Sequence, residues 1–256
     1  MDLGLEGRRL VVTGASRGLG FAVARELVGE GARVVLASRS AEAITYAARQ
    51  LGEHAAGIVC DVTDDDAPAR LLDRASELMG GLDGAFVSHG GPPASTATAL
   101  GDAELQAAID TSLRAPIRLA REIGNALGSG GSLAVLVSSS AREPIPGLVT
   151  SNLARPGVWG YVKTLADELG PKGVRANCVI PGSFLTDRVV ELMERRAEVT
   201  GRRVEEVRAE AEGDIPMRRI GDPAELGRVV AFLLSPAASY VTGAAWAIDG
   251  GAMRSL

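Results

Sequence analysis

One short segment constrains this chain more than any other. Thr13-Gly14-Ala15-Ser16-Arg17-Gly18-Leu19-Gly20 follows an apolar run, Leu10-Val11-Val12, and precedes Phe21 to Val28, whose apolar residues recur at helical spacing. Glycines at this strand-to-helix junction permit a tight turn and let backbone N–H groups at a helix N-terminus approach a pyrophosphate. A second strand, Arg33 to Ala37, completes a βαβ unit. The segment is not a Walker turn, because no Gly-Lys-Ser/Thr follows the glycines. Gly14, Ser16, Arg17, Gly18, Leu19 and Gly20 are therefore candidate nucleotide-binding residues.

The alternation of strand and helix continues along the chain. A helix over Ala41 to Leu51 leads to a strand at Ala56 to Cys60, and a helix over Ala67 to Met79, with Asp64 to Asp66 supplying its N-cap, leads to a strand at Ala85 to Ser88. Beyond Gly90-Gly91-Pro92-Pro93 come helical stretches near Asp102 to Asp110 and Ser112 to Leu127, then a strand at Leu133 to Val137. A long helix ends near Gly170-Pro171. It is followed by a strand at Val174 to Val179, a charged helical excursion at Val189 to Glu212, a helix at Pro223 to Leu234 and a last strand at Ala244 to Ile248. Strands separated by helices predict an α/β, single-domain, doubly wound Rossmann fold over residues 1–256: a seven-stranded parallel sheet with helices on both faces.

Composition excludes several functions. The net charge of −5 comes from 27 basic and 32 acidic residues spread along the whole length, so no basic stripe exists to hold nucleic acid. Cys60 and Cys178 stand alone in their segments, and His54 and His89 are the only histidines, so neither a disulfide framework nor a metal site is expected. The first residues carry no basic start followed by an apolar core, and no apolar run is long enough to span a membrane. These features set the expectation of a soluble, unprocessed cytoplasmic protein acting on a small molecule. Glu191 to Asp214 holds five Arg and eight Asp/Glu after the sixth strand. It reads either as a solvated helix face or, with its borders set at about 187–214, as a cover over a ligand at the carboxyl ends of the strands.

The end of the second strand selects the nucleotide. An Asp or Glu there would hold a ribose 2′-hydroxyl and repel a 2′-phosphate, but the chain reads Leu36-Ala37-Ser38-Arg39-Ser40. Arg39, assisted by Arg17 and the Ser38 hydroxyl, offers donors suited to a phosphate, so NADP(H) is preferred over NAD(H).

Together these residues resemble the short-chain dehydrogenase/reductase family, whose members carry Thr-Gly-x-x-x-Gly-x-Gly where Thr13 to Gly20 stand. The resemblance covers the whole chain. Cys60-Asp61-Val62-Thr63-Asp64 is similar to the family's segment after the third strand, which implies that Asp61 and Val62 hold adenine. Pro181-Gly182-Ser183-Phe184-Leu185-Thr186 resembles the turn whose Thr meets the nicotinamide carboxamide, implicating Pro181, Gly182 and Thr186. The family's Asn-Asn-Ala-Gly falls on Val87-Ser88-His89-Gly90, which places Ser88, His89 and Gly90 beside the cofactor, and its helix Asn falls on Ser112.

The catalytic positions differ from the family's pattern. Counted back from Leu169-Gly170-Pro171-Lys172-Gly173, the Tyr-x-x-x-Lys pair falls on Ser151-Asn152-Leu153-Ala154-Arg155. Ser138 lies 13 residues before Ser151, the spacing of the family's catalytic Ser and Tyr, whereas Ser139 would point to Asn152. Tyr161 and Lys163 cannot substitute, since Tyr161 lies roughly 15 Å further along the helix. Ser151 and Arg155 share one helix face at i,i+4. Arg155 cannot relay a proton but can hold a ribose, and Ser138 and Ser151 can polarise a carbonyl without protonating it. His89 has the only nearby ordinary pKa near neutrality, about 6.5, and is either a proton donor or a hydrogen-bonded turn residue. Arg142 and Glu143 either face substrate or are surface charges. Ser-Asn-x-x-Arg in this place resembles a smaller group within the family.

Two functions follow. One is an NADP(H)-dependent oxidoreductase moving hydride between the nicotinamide and a small carbonyl or alcohol, of which a 3-oxoacyl compound is one type, with Ser138, Ser151 and Arg155 as catalytic residues. The alternative is a catalytically degenerate NADP(H)-binding sensor or assembly protein. The apolar last strand with Trp246, together with the family resemblance, implies a homodimer or homotetramer.

Overall fold

Alternate side chains of each strand enter opposite apolar layers, and this alternation places the helices. A computed structural model of the chain describes residues 2–91 and 94–255; Pro92 and Pro93, which the sequence reading puts in the turn after the fourth strand, lie outside them. In β1 (Arg9–Thr13), Leu10 and Val12 pack with α1 (Gly18–Gly29), α2 (Ala41–Leu51) and α9 (Pro223–Leu234). Val11 points the other way, into the layer of α3 (Ala67–Met79), α5 (Ala115–Ala126) and α6 (Val149–Leu169). The sheet is completed by β2 (Arg33–Ser38), β3 (Ala55–Val59), β4 (Gly84–Val87), β5 (Ser132–Leu136), β6 (Arg175–Pro181) and β7 (Ala245–Ile248).

All neighbouring strands pair in parallel, in the order β3-β2-β1-β4-β5-β6-β7. This is the doubly wound seven-stranded sheet with helices on both faces that the alternation predicts. The order reverses between β1 and β4, so their connections leave in opposite directions and open a crevice at the strands' carboxyl ends. β1 and β4 are fully buried over their apolar residues, as expected of central parallel strands covered on both faces.

Three local expectations change in the structure. Asp66 occupies the N-cap of α3, but its carboxylate makes no cap hydrogen bond and pairs with Arg70 at 3.2 Å instead. The helical stretches around residue 110 join without a break: α4 (Asp102–Ile109) runs through a π-helical turn at Asp110–Arg114 into α5. The charged excursion is two helices, α7 (Asp187–Thr200) and α8 (Val204–Gly213), separated because Gly201 adopts φ +67° and caps α7.

Phe86 is a large, fully buried side chain in the middle of the sheet. Phe86→Ala is expected to cost about 3–5 kcal/mol of stability, read from chemical denaturation, because the surrounding strands can collapse only partly around the space left.

Candidate active site at the carboxyl edge of the sheet

The crevice is pinned by one reciprocal contact. Thr13 Oγ1 donates to the Ser88 carbonyl at 2.7 Å and accepts from the Ser88 N–H at 2.9 Å, tying the end of β1 to the residue after β4. Gly14 follows with φ +61°, and a Cβ there would sit 2.9 Å from the Ser88 carbonyl oxygen. Only glycine satisfies both the left-handed backbone and the close approach. A Cβ on Gly20 would strike the Gly14 backbone, so the first turn of α1 folds directly onto the loop before it. Arg17 holds the N-cap position of α1 without a side-chain cap, and the first N–H groups of the helix face the turn. Ser16, Gly18 and Leu19 are partly exposed in this turn. A Cβ on Gly18 would lie 3.7 Å from the Thr186 methyl, so the Pro181-to-Thr186 turn meets the glycine turn across the crevice.

The end of β2 carries an unsatisfied polar atom. Ser38 Oγ is shielded from solvent and has no hydrogen-bond partner among the described residues, while the next residue, Arg39, is exposed. Ser40 Oγ caps α2 by accepting from the Ala43 N–H at 3.2 Å. Asp61 uses one oxygen to accept from the Thr63 N–H and hydroxyl, at 3.0 and 2.8 Å. Although burial opposes it, these bonds and the charges of Arg39 and Arg70 hold the Asp61 pKa below the ordinary carboxylate value. Val62 is partly buried beside it. Thr186 starts α7 without capping it through its side chain, and Gly182 donates its N–H to the Ile248 carbonyl at 2.8 Å, fixing the turn after Pro181.

The catalytic positions come together differently from expectation. Ser140, not Ser138, meets Ser151: their hydroxyl oxygens lie 2.8 Å apart in a buried pair. Ser138 caps the short helical turn after β5, its Oγ accepting from the Ser140 N–H at 3.2 Å, and stays partly exposed. The 13-residue spacing identifies the right loop, but the loop turns so sharply after Ser138 that the third serine faces the helix. Asn152 does not pair with Ser139. Its carboxamide closes on Ile145, accepting from the N–H at 2.9 Å and donating to the carbonyl at 3.0 Å, which fastens the 139–148 loop to α6. Arg142 stacks on Trp159 with its guanidinium carbon 5.1 Å from the ring centre, and Glu143 accepts from the Arg254 and Ser255 N–H groups. Both charges are thus engaged within the chain. Ser112 is fully buried in the π-helical turn.

Arg155 is almost wholly buried, and burial lowers its pKa to about 10, so it remains charged at neutral pH. Its Nη1 lies 2.8 Å from His89 Nε2 and donates to the Leu136 carbonyl at 3.1 Å. His89 Nδ1 lies 2.9 Å from the Gly90 carbonyl, which only an N–H there can satisfy. His89 is therefore the neutral Nδ1–H tautomer, with the Nε2 lone pair directed at Arg155. Burial first, and then the Arg155 charge, push its pKa down to about 3. Of the two readings left open for His89, this is the hydrogen-bonded turn residue and not the proton donor: the imidazole holds no transferable proton on the nitrogen that faces Arg155. Sequence reasoning missed Ser140 and this pair, although three consecutive serines after β5 and a histidine in the alanine position of the family's Asn-Asn-Ala-Gly segment were visible signals.

The first helix after β6, α7, touches the same edge. Arg188 on α7 reaches the Gly91 carbonyl at 3.4 Å, and Glu191 lies 4.0 Å from Arg17. Among the described residues no helix is long and apolar enough to cross a membrane.

This fold and crevice define a Rossmann-type α/β domain, and comparison with known proteins places it more closely. A family model described as enoyl-(acyl carrier protein) reductase matches residues 14–253. The human dehydrogenase/reductase SDR family member 2, mitochondrial, is 33% identical over 256 residues, covering 98% of this chain and 88% of its own. The 3-oxoacyl-[acyl-carrier-protein] reductase FabG of Vibrio harveyi is 30% identical, covering 97% and 98%. The solved structure of L-sorbose reductase from Gluconobacter frateurii, complexed with NADPH and L-sorbose, superposes with a TM-score of 0.94 at 27% identity over 100% of both chains. The chain belongs to the short-chain dehydrogenase/reductase family of oxidoreductases, which act on carbonyl and alcohol substrates.

Because the folded protein resists protonating His89 until about pH 3 while an unfolded histidine takes a proton near 6.5, this residue makes stability fall as pH drops through that window. Nitrogen NMR of His89 is expected to report an unchanged neutral Nδ1–H tautomer from pH 8 to 4.5; titration near 6.5 would contradict the assignment.

Proposed function

We propose that this protein is an NADP(H)-dependent oxidoreductase for a small carbonyl or alcohol substrate, of the Ser-Asn-x-x-Arg type within its family, working as one domain with α7 and α8 as the substrate cover. The observation that carries the cofactor reading is the end of β2, where an unpartnered Ser38 hydroxyl and Arg39 stand in the place an acidic residue would occupy in an NAD-specific chain. The glycine turn, whose close packing leaves no room for side chains at Gly14 and Gly20, fits a pyrophosphate at the N-terminus of α1. The NADPH bound to the L-sorbose reductase supports the same reading.

Gly14, Ser16, Arg17, Gly18, Leu19 and Gly20 would hold the pyrophosphate side, Ser38 and Arg39 the 2′-phosphate, and Asp61 and Val62 the adenine. Ser88, His89 and Gly90 would line the adjoining ribose, while Pro181, Gly182 and Thr186 would border the nicotinamide. Bound NADPH would supply a hydride to a carbonyl carbon, and the oxidised cofactor would accept one from an alcohol. Arg155 would anchor the nicotinamide ribose with its unshared N–H groups. Ser138, partly exposed at the end of β5, and Ser151, oriented by Ser140, would donate hydrogen bonds to the substrate oxygen. None of these groups is a proton donor of suitable pKa, so the proton would come from water held by the hydroxyls. The fold allows a 3-oxoacyl substrate, such as the name of the Vibrio relative specifies.

The Ser140–Ser151 pair also favours a second reading, because it engages the Ser151 hydroxyl within the protein. In that case the chain binds NADP(H) as a sensor or assembly protein in the cytoplasm. NADPH oxidation followed with a panel of aldehydes, ketones and 3-oxoacyl thioesters separates the two: turnover is expected, and firm NADPH binding with no turnover between pH 5 and 9 would select the sensor. In the same titrations, Arg39→Ala is expected to weaken NADPH binding by about tenfold and NADH binding by less than about twofold.

Self-association belongs to this reading. β7 is an edge strand with half-buried Trp246 packed on Phe232, their ring centres 5.8 Å apart. Light scattering is expected to give a homodimer or homotetramer at micromolar concentration; a monomer would count against it.

A further inference from the structure

Arg155 is a cation held without a counter-charge. Burial is what moves its pKa, and among the described residues no carboxylate forms an ion pair with it. What holds it is one nitrogen. Nη1 is shared between His89 Nε2, from the loop after β4, and the Leu136 carbonyl, at the end of β5. Among the described residues Nη2 makes no hydrogen bond, and Nε is buried with no partner. These two groups form a single edge of the planar guanidinium, with two parallel N–H bonds that match a pair of neighbouring oxygens.

We infer that His89 is the positioning residue for Arg155: by accepting from Nη1 it fixes the plane of the guanidinium so that the Nε–Nη2 edge is kept for the cofactor's ribose hydroxyls. The inference rests on the reading of Arg155 as the cofactor anchor. A lysine ammonium in this position would be a point donor that needs no orientation about its own axis. A guanidinium is planar, and rotating it about its long stem swings the fork away from its target. The Leu136 carbonyl alone would leave that rotation open. A second acceptor, on a different element and on the same nitrogen, restricts it. Histidine can be this acceptor because the Gly90 carbonyl engages Nδ1–H and leaves the Nε2 lone pair for Arg155. His89 and Arg155 therefore act as a matched unit.

NADPH dissociation constants, measured by fluorescence titration at pH 7.5 for the full chain, test this with five proteins: wild type, Arg155→Ala, His89→Leu, His89→Gln and the His89→Leu/Arg155→Ala double variant. Arg155→Ala is expected to weaken binding by about tenfold and His89→Leu by a comparable factor. His89→Gln, whose carboxamide oxygen can accept, is expected to recover most of the loss, and the double variant to bind no worse than Arg155→Ala. A purely structural histidine would give effects that multiply in the double variant and no rescue by glutamine. Either result overturns the inference, as does His89→Leu binding within twofold of wild type when Arg155→Ala is impaired. If Arg155→Ala itself binds within twofold of wild type, the anchoring reading fails and the inference falls with it. Should His89→Leu not fold, glutamine decides alone: near-normal binding supports the inference, and loss as large as that of Arg155→Ala overturns it.

Discussion

The two hydrogen bonds between Thr13 and Ser88 hold the site together. They join the first strands of the two half-sheets at the point where winding reverses, and the connections that leave there would otherwise be free to part. Gly14 packs against the same Ser88 carbonyl, so the shape of the glycine turn depends on where Ser88 sits. His89 is the next residue, and its contact with Arg155 carries the same constraint across β5 to α6. One hydroxyl, acting as donor and acceptor at once, therefore sets the relative positions of the turn, the imidazole and the guanidinium. Its full burial raises the value of both bonds, since neither partner has water as a substitute.

The fold was legible because its determinants are local. Each strand carries a short apolar run and each helix an apolar stripe, and right-handed crossovers leave few ways to assemble them. Arg33 to Ala37 and Pro223 to Leu234 lie within a residue or so of where periodicity puts them. The break between α7 and α8 was less visible, because charge runs evenly through Glu191 to Asp214 and only Gly201 marks the turn. Asp64 to Asp66 show the opposite limit. A carboxylate at a helix start can cap the backbone or pair with an arginine one turn on, and the choice depends on where Arg70 lies once folded.

The site was legible as a list of segments rather than as a set of contacts. Spacing located the loop after β5 and the face of α6 that oppose each other, but three adjacent serines differ only in the direction each points, which the turn after Ser138 decides. Likewise, His89 in isolation has a pKa suited to proton transfer. Its loss of that property comes first from burial and then from a guanidinium 66 positions away in the chain. Replacing a lysine by an arginine changes more than a charge carrier. It removes a group able to give up a proton and installs a planar one that needs an orienting acceptor, so the histidine and the arginine are best understood together.

Asn152 has a mechanical consequence. With its carboxamide clamped on both backbone groups of Ile145, the loop from Ser139 to Leu148 is riveted to α6 and shares its rigidity. The opposite wall is tied more weakly, since α7 meets the crevice only through the long Arg188–Gly91 contact and the 4.0 Å Arg17–Glu191 pair among the described residues. The two walls of the crevice are thus held unequally, one by paired backbone hydrogen bonds and the other by side-chain contacts at the limit of bonding distance.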